Sequence, residues 1–236
     1  LAWTTTPWTL PSNMALAVGP EFTYVRVKDQ EDVYYLAKDR LPSYYKKPED
    51  YEILAELKGS ELVGMRYEPL FPFFADKAGE GAFRVVPADF VTTEDGTGIV
   101  HIAPGFGEDD YRLGVAEGVP AVCPVDAEGR FTEEVSDYAG REVKQADSDI
   151  IKRLKAEKKM VHHATINHSY PHCWRCDTAL IYRAISTWFV RVEKFKDQIM
   201  SANEGIHWVP EHLRDGRFGK WLEGARDWAI SRNRYW

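Results

Sequence analysis

Apolar and polar positions alternate most cleanly over Tyr24–Lys28, and the same pattern at Ala15–Val18 and Val33–Leu36 predicts two further strands. Gly19-Pro20 and Asp29–Asp32 supply the turns between them. Asp39–Lys47 predicts a short helix that Pro48 ends. Residues 51–75 mix apolar pairs with Gly59, Gly64 and Pro69, and close on the aromatic run Phe71–Phe74, which suits core filling or a pocket wall. Arg84–Val86 and Phe90–Thr92 predict short strands, followed by a buried-type strand at Ile99–Ile102 that Pro104 stops. Gly105 and Gly107 permit a tight turn. Glu108, Asp109 and Asp110 then form the acidic first turn of a helix carrying Tyr111, Leu113, Val115 and Ala116.

Ala121–Val125 predicts another strand, and residues 126–146 a loop-rich segment. Asp147–Lys159 has an amphipathic helical period: Asp147 or Ser148 caps it, and Ile150, Ile151 and Leu154 share a face. Lys152, Arg153, Lys155, Lys158 and Lys159 make its other side basic, which reads as a solvated face before it reads as a phosphate contact. Met160–Ile166 returns as a strand. Strands and helices interleave without a regular βαβ period, so the fold class is mixed α/β, a curved sheet or distorted β-barrel with surrounding helices. Beyond it the pattern changes. His168–Asp177 is a compact knuckle, Leu180–Val192 is strand-like, and Glu193–Ala202 is helical. The expected domains are therefore 1–166 and 167–236.

Composition narrows the function. The 236 residues carry 30 basic and 37 acidic side chains, a formal charge of -7, so nothing global attracts nucleic acid and any such partner needs local basic patches. Three cysteines are too few for a disulfide framework and fit a reducing cytosol. No apolar run approaches the roughly 18 residues of a membrane span, and no signal peptide opens the chain. The chain starts on Leu1, and Ser231–Trp236 reads like the interior of a longer sequence, which suggests an excised segment.

Two stretches carry candidate chemistry. Thr4, Thr5 and Thr6 favour extended backbone, with Thr4 and Thr6 on one side and Thr5 on the other. Bracketed by Trp3 and Trp8, they offer a polar pocket with aromatic walls, or simply an edge strand. In Gly96–Asp110, the strand, glycine turn and helix start place His101 and the carboxylates at one rim. Acidic residues there also complement the helix dipole. The glycine spacing is neither a phosphate loop nor a dinucleotide fingerprint. Cys173 and Cys176 have the spacing of half a tetrahedral zinc site. His168 and His172 lie nearby, though His172 adjoins Cys173 too closely to ligate easily. Cys123 stands alone as a small hydrophobe.

Taken together, the blocks Trp3–Pro11 with Asn13, and Gly96–Pro104 with Asp109, Asp110 and Tyr111, resemble the two signature blocks of the editing domain of isoleucyl-tRNA synthetases, class I enzymes. Pro171–Cys176, Tyr182-Arg183 with Trp188-Phe189, and Asp227–Trp236 resemble the segment that returns into the catalytic domain. Valyl and leucyl relatives carry Thr-Thr-Arg-Pro where this chain has Thr4–Pro7, and the valyl enzyme typically has lysine at the position of His101. The synthetic signatures are absent, so the resemblance implies proofreading hydrolysis, with ATP needed only by the catalytic domain and no cofactor for editing. The isoleucine enzyme is itself the standard example of this need: one methylene gives too little discrimination, and a second site destroys the smaller product.

The resemblance implies that Asp110 holds the α-ammonium of a valyl group, and that Thr4, Thr5 and Thr6 bind the ester and terminal adenosine and position water. Trp8 and His101 line the side-chain slot, with His101 excluding isoleucine. The implied substrate is valyl-tRNA(Ile), with valyl-adenylate as a second candidate. The implied partners are the tRNA 3′ end and the rest of the synthetase, in a cytoplasmic monomer without membrane contact. Structural zinc at Cys173 and Cys176 completes its ligand set elsewhere. Competing expectations are a zinc hydrolase using His101, Asp109 and Asp110, a non-catalytic tRNA-binding module, and a valyl-type domain that clears threonine.

Overall fold

A computed structural model describes residues 1–165 and 169–232, and the chain divides into two compact units, Leu1–Ala184 and Ile185–Trp236. The first unit is built on two small sheets. Strands β1 (Ala15–Val18), β2 (Thr23–Asp29) and β3 (Asp32–Ala37) follow one another, and α1 (Leu41–Tyr44) ends ahead of Pro48. Next come β4 (Glu52–Lys58), α2 (Gly59–Leu62), β5 (Arg84–Pro87) and β6 (Ile99–Ile102), then α3 (Glu108–Glu117) and α4 (Val143–Ala156). One sheet has the order β5-β1-β6, with β1 parallel to β5 and antiparallel to β6. The other is an antiparallel β3-β2-β4 meander with a bulge between Arg26 and Val27.

The sheets do not close into the expected barrel. Strands β5 and β6 have only four residues each, and both hydrogen-bond to β1 rather than onward to the second sheet. Side chains join the sheets instead: Val18, Tyr24, Ala37, Leu62 and Ile99 form one buried cluster. The Tyr24 hydroxyl, fully buried, donates to Gly98 O at 2.6 Å and accepts from Gly19 N–H at 3.0 Å. Ala37 N–H adds a backbone bond to Thr97 O at 2.8 Å. Gly98 has φ +74°, and a Cβ there would lie 2.5 Å from that of Ala37, so the junction requires glycine.

Several expected strands are not strands. Phe90–Thr92 forms no ladder, Ala121–Val125 contributes one bridge from Val125 to Phe131, and 160–165 is irregular among the described residues. High β propensity does not make a strand where no edge is available to pair with. Helix α4 begins four residues before Asp147, because Glu142 caps it by accepting from Lys144 and Gln145 N–H. Its Val143, Ala146, Ile150 and Leu154 face the main core alongside Trp8, Met14, Phe71, Phe131 and Val135.

The knuckle belongs to the first unit. Arg183 donates to Val125 O at 2.8 Å and Ala184 N–H to Gly105 O at 2.7 Å, so the division falls after Ala184 rather than at 166. The second unit holds the two-residue strands β7 (Phe189–Val190) and β8 (Trp228–Ala229), with α5 (Lys196–Glu204) and α6 (Arg217–Glu223). Its buried Asn203 accepts from Trp208 Nε1–H and donates to Arg214 O. No described helix is long and apolar enough to cross a membrane.

Candidate functional site

Strand β6 is the spine of the site. Its central residue, His101, pairs with Leu16 of β1 on one side, and Trp3 bridges to Val100 on the other. Trp3 N–H donates to Ile99 O at 3.1 Å, so the N-terminal segment runs beside β6. Beyond Trp3 the threonines are not a continuous edge strand. Thr4 Oγ1 accepts from Thr6 N–H at 3.1 Å and lies 3.5 Å from Thr6 Oγ1, while Thr5 is exposed. The predicted sidedness holds, but Pro7 then turns the chain into a 3-10 helix, Pro7–Ser12.

That turn buries Trp8 and Thr9. The Trp8 ring meets Phe106 edge-on at 4.9 Å, joining the threonine segment to the loop after β6. Thr9 Oγ1 donates to Thr6 O at 2.8 Å. The same oxygen lies 3.1 Å from His101 Nε2, and Asn13 Nδ2 lies 2.8 Å from His101 Nδ1. Since Thr9 spends its hydrogen on a carbonyl and Asn13 offers an N–H, His101 carries its proton on Nε2 and accepts at Nδ1. Burial pushes its pKa down to about 4 and keeps the ring neutral. Both ring nitrogens are therefore committed, and His101 has no lone pair for a metal. This removes it from the zinc-hydrolase arrangement with Asp109 and Asp110. It also means that any wall His101 gives a substrate slot is made by its carbon edge.

Asp110 stands in the first turn of α3, half-buried, with Oδ2 accepting from Ala103 N–H at 2.8 Å. That bond ties the helix start to the end of β6, and Phe106 N–H to Ala103 O tightens the loop between them. Burial is the main reason its pKa rises to about 6, with the neighbouring Asp109 adding to it and the Ala103 N–H opposing. Asp110 is thus a partly desolvated carboxylate for which a cationic ligand group would be a favourable partner. Asp147, which the sequence suggests as a helix cap, instead faces Trp8 from α4. Its pKa is also raised to about 6, chiefly by burial, with the Trp8 backbone N–H opposing.

A cavity of about 550 Å³ opens beside this cluster, with Trp3, Thr4, Thr5, Tyr44, Lys159 and His162 in its wall. Trp8, His101 and Asp110 lie outside that lining. Thr6 links the two neighbourhoods, through its contact with Thr4 on one side and with Thr9 on the other. Sequence reasoning named the threonines, Trp8, His101 and Asp110, and quoted Asn13 only within a motif. Thr9 and Phe106 were likewise named only within motifs, and Tyr67 was missed, since no local pattern signals its contact with Asn13.

In the knuckle, Cys173 is buried and Cys176 exposed, on one turn held by Cys173 N–H to Thr178 O and Asp177 N–H to Cys173 O. His172 donates through Nδ1 to Asp177 O at 2.8 Å. Among the described residues no third His, Cys, Asp or Glu joins the pair. His168 and the terminal Asn233–Trp236 lie outside the described residues.

Comparison with known proteins places the chain. The isoleucine-tRNA ligase of Chlamydia trachomatis serovar L2 is 58% identical over 238 residues, matching 100% of this chain and 23% of that protein. The isoleucine-tRNA ligase of Treponema denticola is 58% identical over 251 residues, with the same coverage. The chain therefore spans about a quarter of the length of these relatives. The crystal structure of GlLeuRS-CP1 superposes with a TM-score of 0.55 at 16% identity, over 71% of this chain and 84% of that one, a likeness of fold. Residues 6–236 match the model of class I tRNA synthetases (I, L, M and V), and the chain belongs to that family.

Proposed function

We propose that this chain is the proofreading part of an isoleucine-tRNA ligase, hydrolysing the ester of valyl-tRNA(Ile). The observation that carries the reading is Asp110: a half-buried carboxylate, fixed by Ala103 N–H, at the loop that packs Phe106 against Trp8. It offers a partly desolvated negative charge to an α-ammonium close to the buried Trp8–Phe106 contact. Thr4 and Thr5 open onto the cavity, which suits the terminal adenosine, and Thr6 joins that cavity to the cluster around His101. Water attacks the ester carbonyl carbon, the bond to the ribose oxygen breaks, and that oxygen takes the proton, leaving valine and a free terminal hydroxyl. The protein supplies orientation rather than a covalent nucleophile. His101, with both nitrogens committed, contributes shape.

The knuckle fits a structural zinc as half of a tetrahedral set, Cys173 and Cys176 giving two thiolates. The remaining ligands come from outside the described residues, and the metal supplies only cross-linking. The partners are the tRNA 3′ end and the rest of the ligase.

The test is deacylation of valyl- and isoleucyl-tRNA(Ile) by this chain and its Asp110→Ala variant. Loss of valine, sparing of isoleucine, and collapse of the rate in the variant are expected. Equal loss of both amino acids, an undiminished rate in the variant, or no release of valine by the unaltered chain overturns the reading.

A further inference from the structure

His101 is an inner member of a longer hydrogen-bonded line that starts at Tyr67, 54 residues from Asn13 in sequence. The Tyr67 hydroxyl donates to Asn13 Oδ1 at 2.6 Å. Asn13 Nδ2 spends one hydrogen on Ala15 O at 2.9 Å and the other on His101 Nδ1 at 2.8 Å. His101 Nε2–H donates to Thr9 Oγ1, and Thr9 donates to Thr6 O. Every member is a donor to the next, so the line has one direction and ends on the backbone of the threonine segment. Ala15 O and Thr6 O accept only, which leaves no reversed arrangement.

Tyr67 is placed to hold this line rather than merely fill space. Its backbone N–H is anchored to Phe83 O at 3.1 Å, and its ring meets Phe83 edge-on at 6.1 Å. Burial keeps the phenol protonated far above neutral pH, so it remains a donor. Asn13 is itself buried and fixed by its own N–H to Leu10 O, so its amide has little freedom while all three side-chain bonds are made. Without the phenol, Oδ1 is a buried acceptor lacking a partner. That cost weighs against the amide orientation that keeps Nδ2 on His101.

We infer that Tyr67 is a positioning residue for the hydrolytic site, its hydroxyl acting through Asn13 to hold His101 in one tautomer and Thr9 on the Thr6 carbonyl. The inference rests on the editing reading, and it reaches a residue that neither the threonine block nor the histidine block contains.

Tyr67→Phe tests it, since phenylalanine keeps the ring against Phe83 and removes only the donor. Circular dichroism confirms that the variant is folded. Imidazole 15N shifts then report the tautomer independently of any activity. In the unaltered chain His101 should show a protonated Nε2 and an unprotonated Nδ1, and in the variant averaged or exchange-broadened signals. The valyl-tRNA(Ile) deacylation rate constant should fall by about tenfold or more with KM within about twofold, the pattern of a misplaced rather than an absent binding group. Unchanged His101 signals, or changed signals with an unchanged rate constant, overturn the inference while leaving the editing reading intact. A tautomer that responds to Tyr67→Phe in a chain that releases no valine upholds the hydrogen-bonded line and sinks the editing reading and the catalytic role with it.

Discussion

The Asp110 carboxylate takes the backbone N–H of Ala103 at 2.8 Å, so the first turn of one helix closes the loop that leaves β6. The bond stabilises the charged form, yet burial outweighs it and the pKa sits at about 6, above the ordinary 3.8. A carboxyl whose folded pKa is raised favours folding most below 3.8 and loses that contribution as pH rises from 3.8 through 6. Asp110→Asn keeps an acceptor for Ala103 and removes the titration. The variant should therefore gain stability relative to the unaltered chain as pH rises across that window, and level off above it. Urea midpoints at half-unit pH steps measure this. A constant difference between the two proteins would show that Asp110 does not titrate there.

His101 works in the opposite sense. Its pKa is lowered from 6.5 to about 4 by burial, so the unfolded chain takes up a proton before the folded one does. Its stabilising contribution is complete above 6.5 and is lost as pH falls toward 4. Asp147, also raised to about 6, runs with Asp110, so both carboxyls oppose the imidazole across the acid range. His101→Leu should flatten the histidine component. It should also cost about 1–3 kcal/mol at neutral pH, because Asn13 Nδ2 and Thr9 Oγ1 both lose a buried partner.

Tyr24 tests what joins the sheets. Its buried hydroxyl serves Gly19 N–H and Gly98 O together, between β1 and the loop before β6. Tyr24→Phe leaves two backbone groups without that partner in a closed interior, and should cost about 1–3 kcal/mol with little cavity contribution. Thermal unfolding followed by circular dichroism measures it. A loss below a few tenths would mean that the packing of Val18, Ala37 and Ile99 holds the junction alone.

The stretch Ile99–Asp110 was legible because its signals are local. A short apolar run, a proline stop, two glycines and an acidic helix start follow one another, and β6 and α3 fall where they indicate. The sidedness of Thr4 and Thr6 was legible for the same reason. The open sheets were not, since closure depends on whether β5 and β6 find a second neighbour, which no residue of either strand encodes. Nor was the line from Tyr67 to Thr6, whose members touch only because β1 and β6 pair and Arg66 bridges to Arg84. Helix α4 was found, but its start was misplaced because Glu142 is a less familiar cap than Asp147 or Ser148.

Gly105 gives a steric test of the loop under Asp110. A Cβ on it would stand 2.1 Å from Val122 O, a backbone atom that cannot swing aside. Gly105→Ala should therefore destabilise by about 1–3 kcal/mol and disturb the Ala103–Asp110 closure. Gly140→Ala is the control, with φ +72° and open space around the position, and should cost about 1–2 kcal/mol through backbone strain alone. The two variants should separate in valyl-tRNA deacylation, which Gly105→Ala lowers and Gly140→Ala leaves unchanged. Equal activity in both would detach the loop from the proposed site.

Metal removal distinguishes the knuckle from the hydrolytic cluster. Cys173 and Cys176 give at most two thiolates, and His172 has Nδ1 committed to Asp177 O, so zinc held by these residues lacks half of its tetrahedral set. The proposed hydrolytic cluster lies on β6, α3 and the Pro7–Ser12 turn, and His101 in it has no free lone pair. Chelator, or Cys173→Ser with Cys176→Ser, should leave valyl-tRNA deacylation within about twofold, because the proposed orientation by Asp110 and the threonines needs no Lewis acid. Zinc added back should change the stability of the knuckle more than the rate. A rate that falls with chelator and returns with zinc would require a metal in the hydrolytic cluster itself, and would transfer the chemistry from oriented water to metal-bound hydroxide.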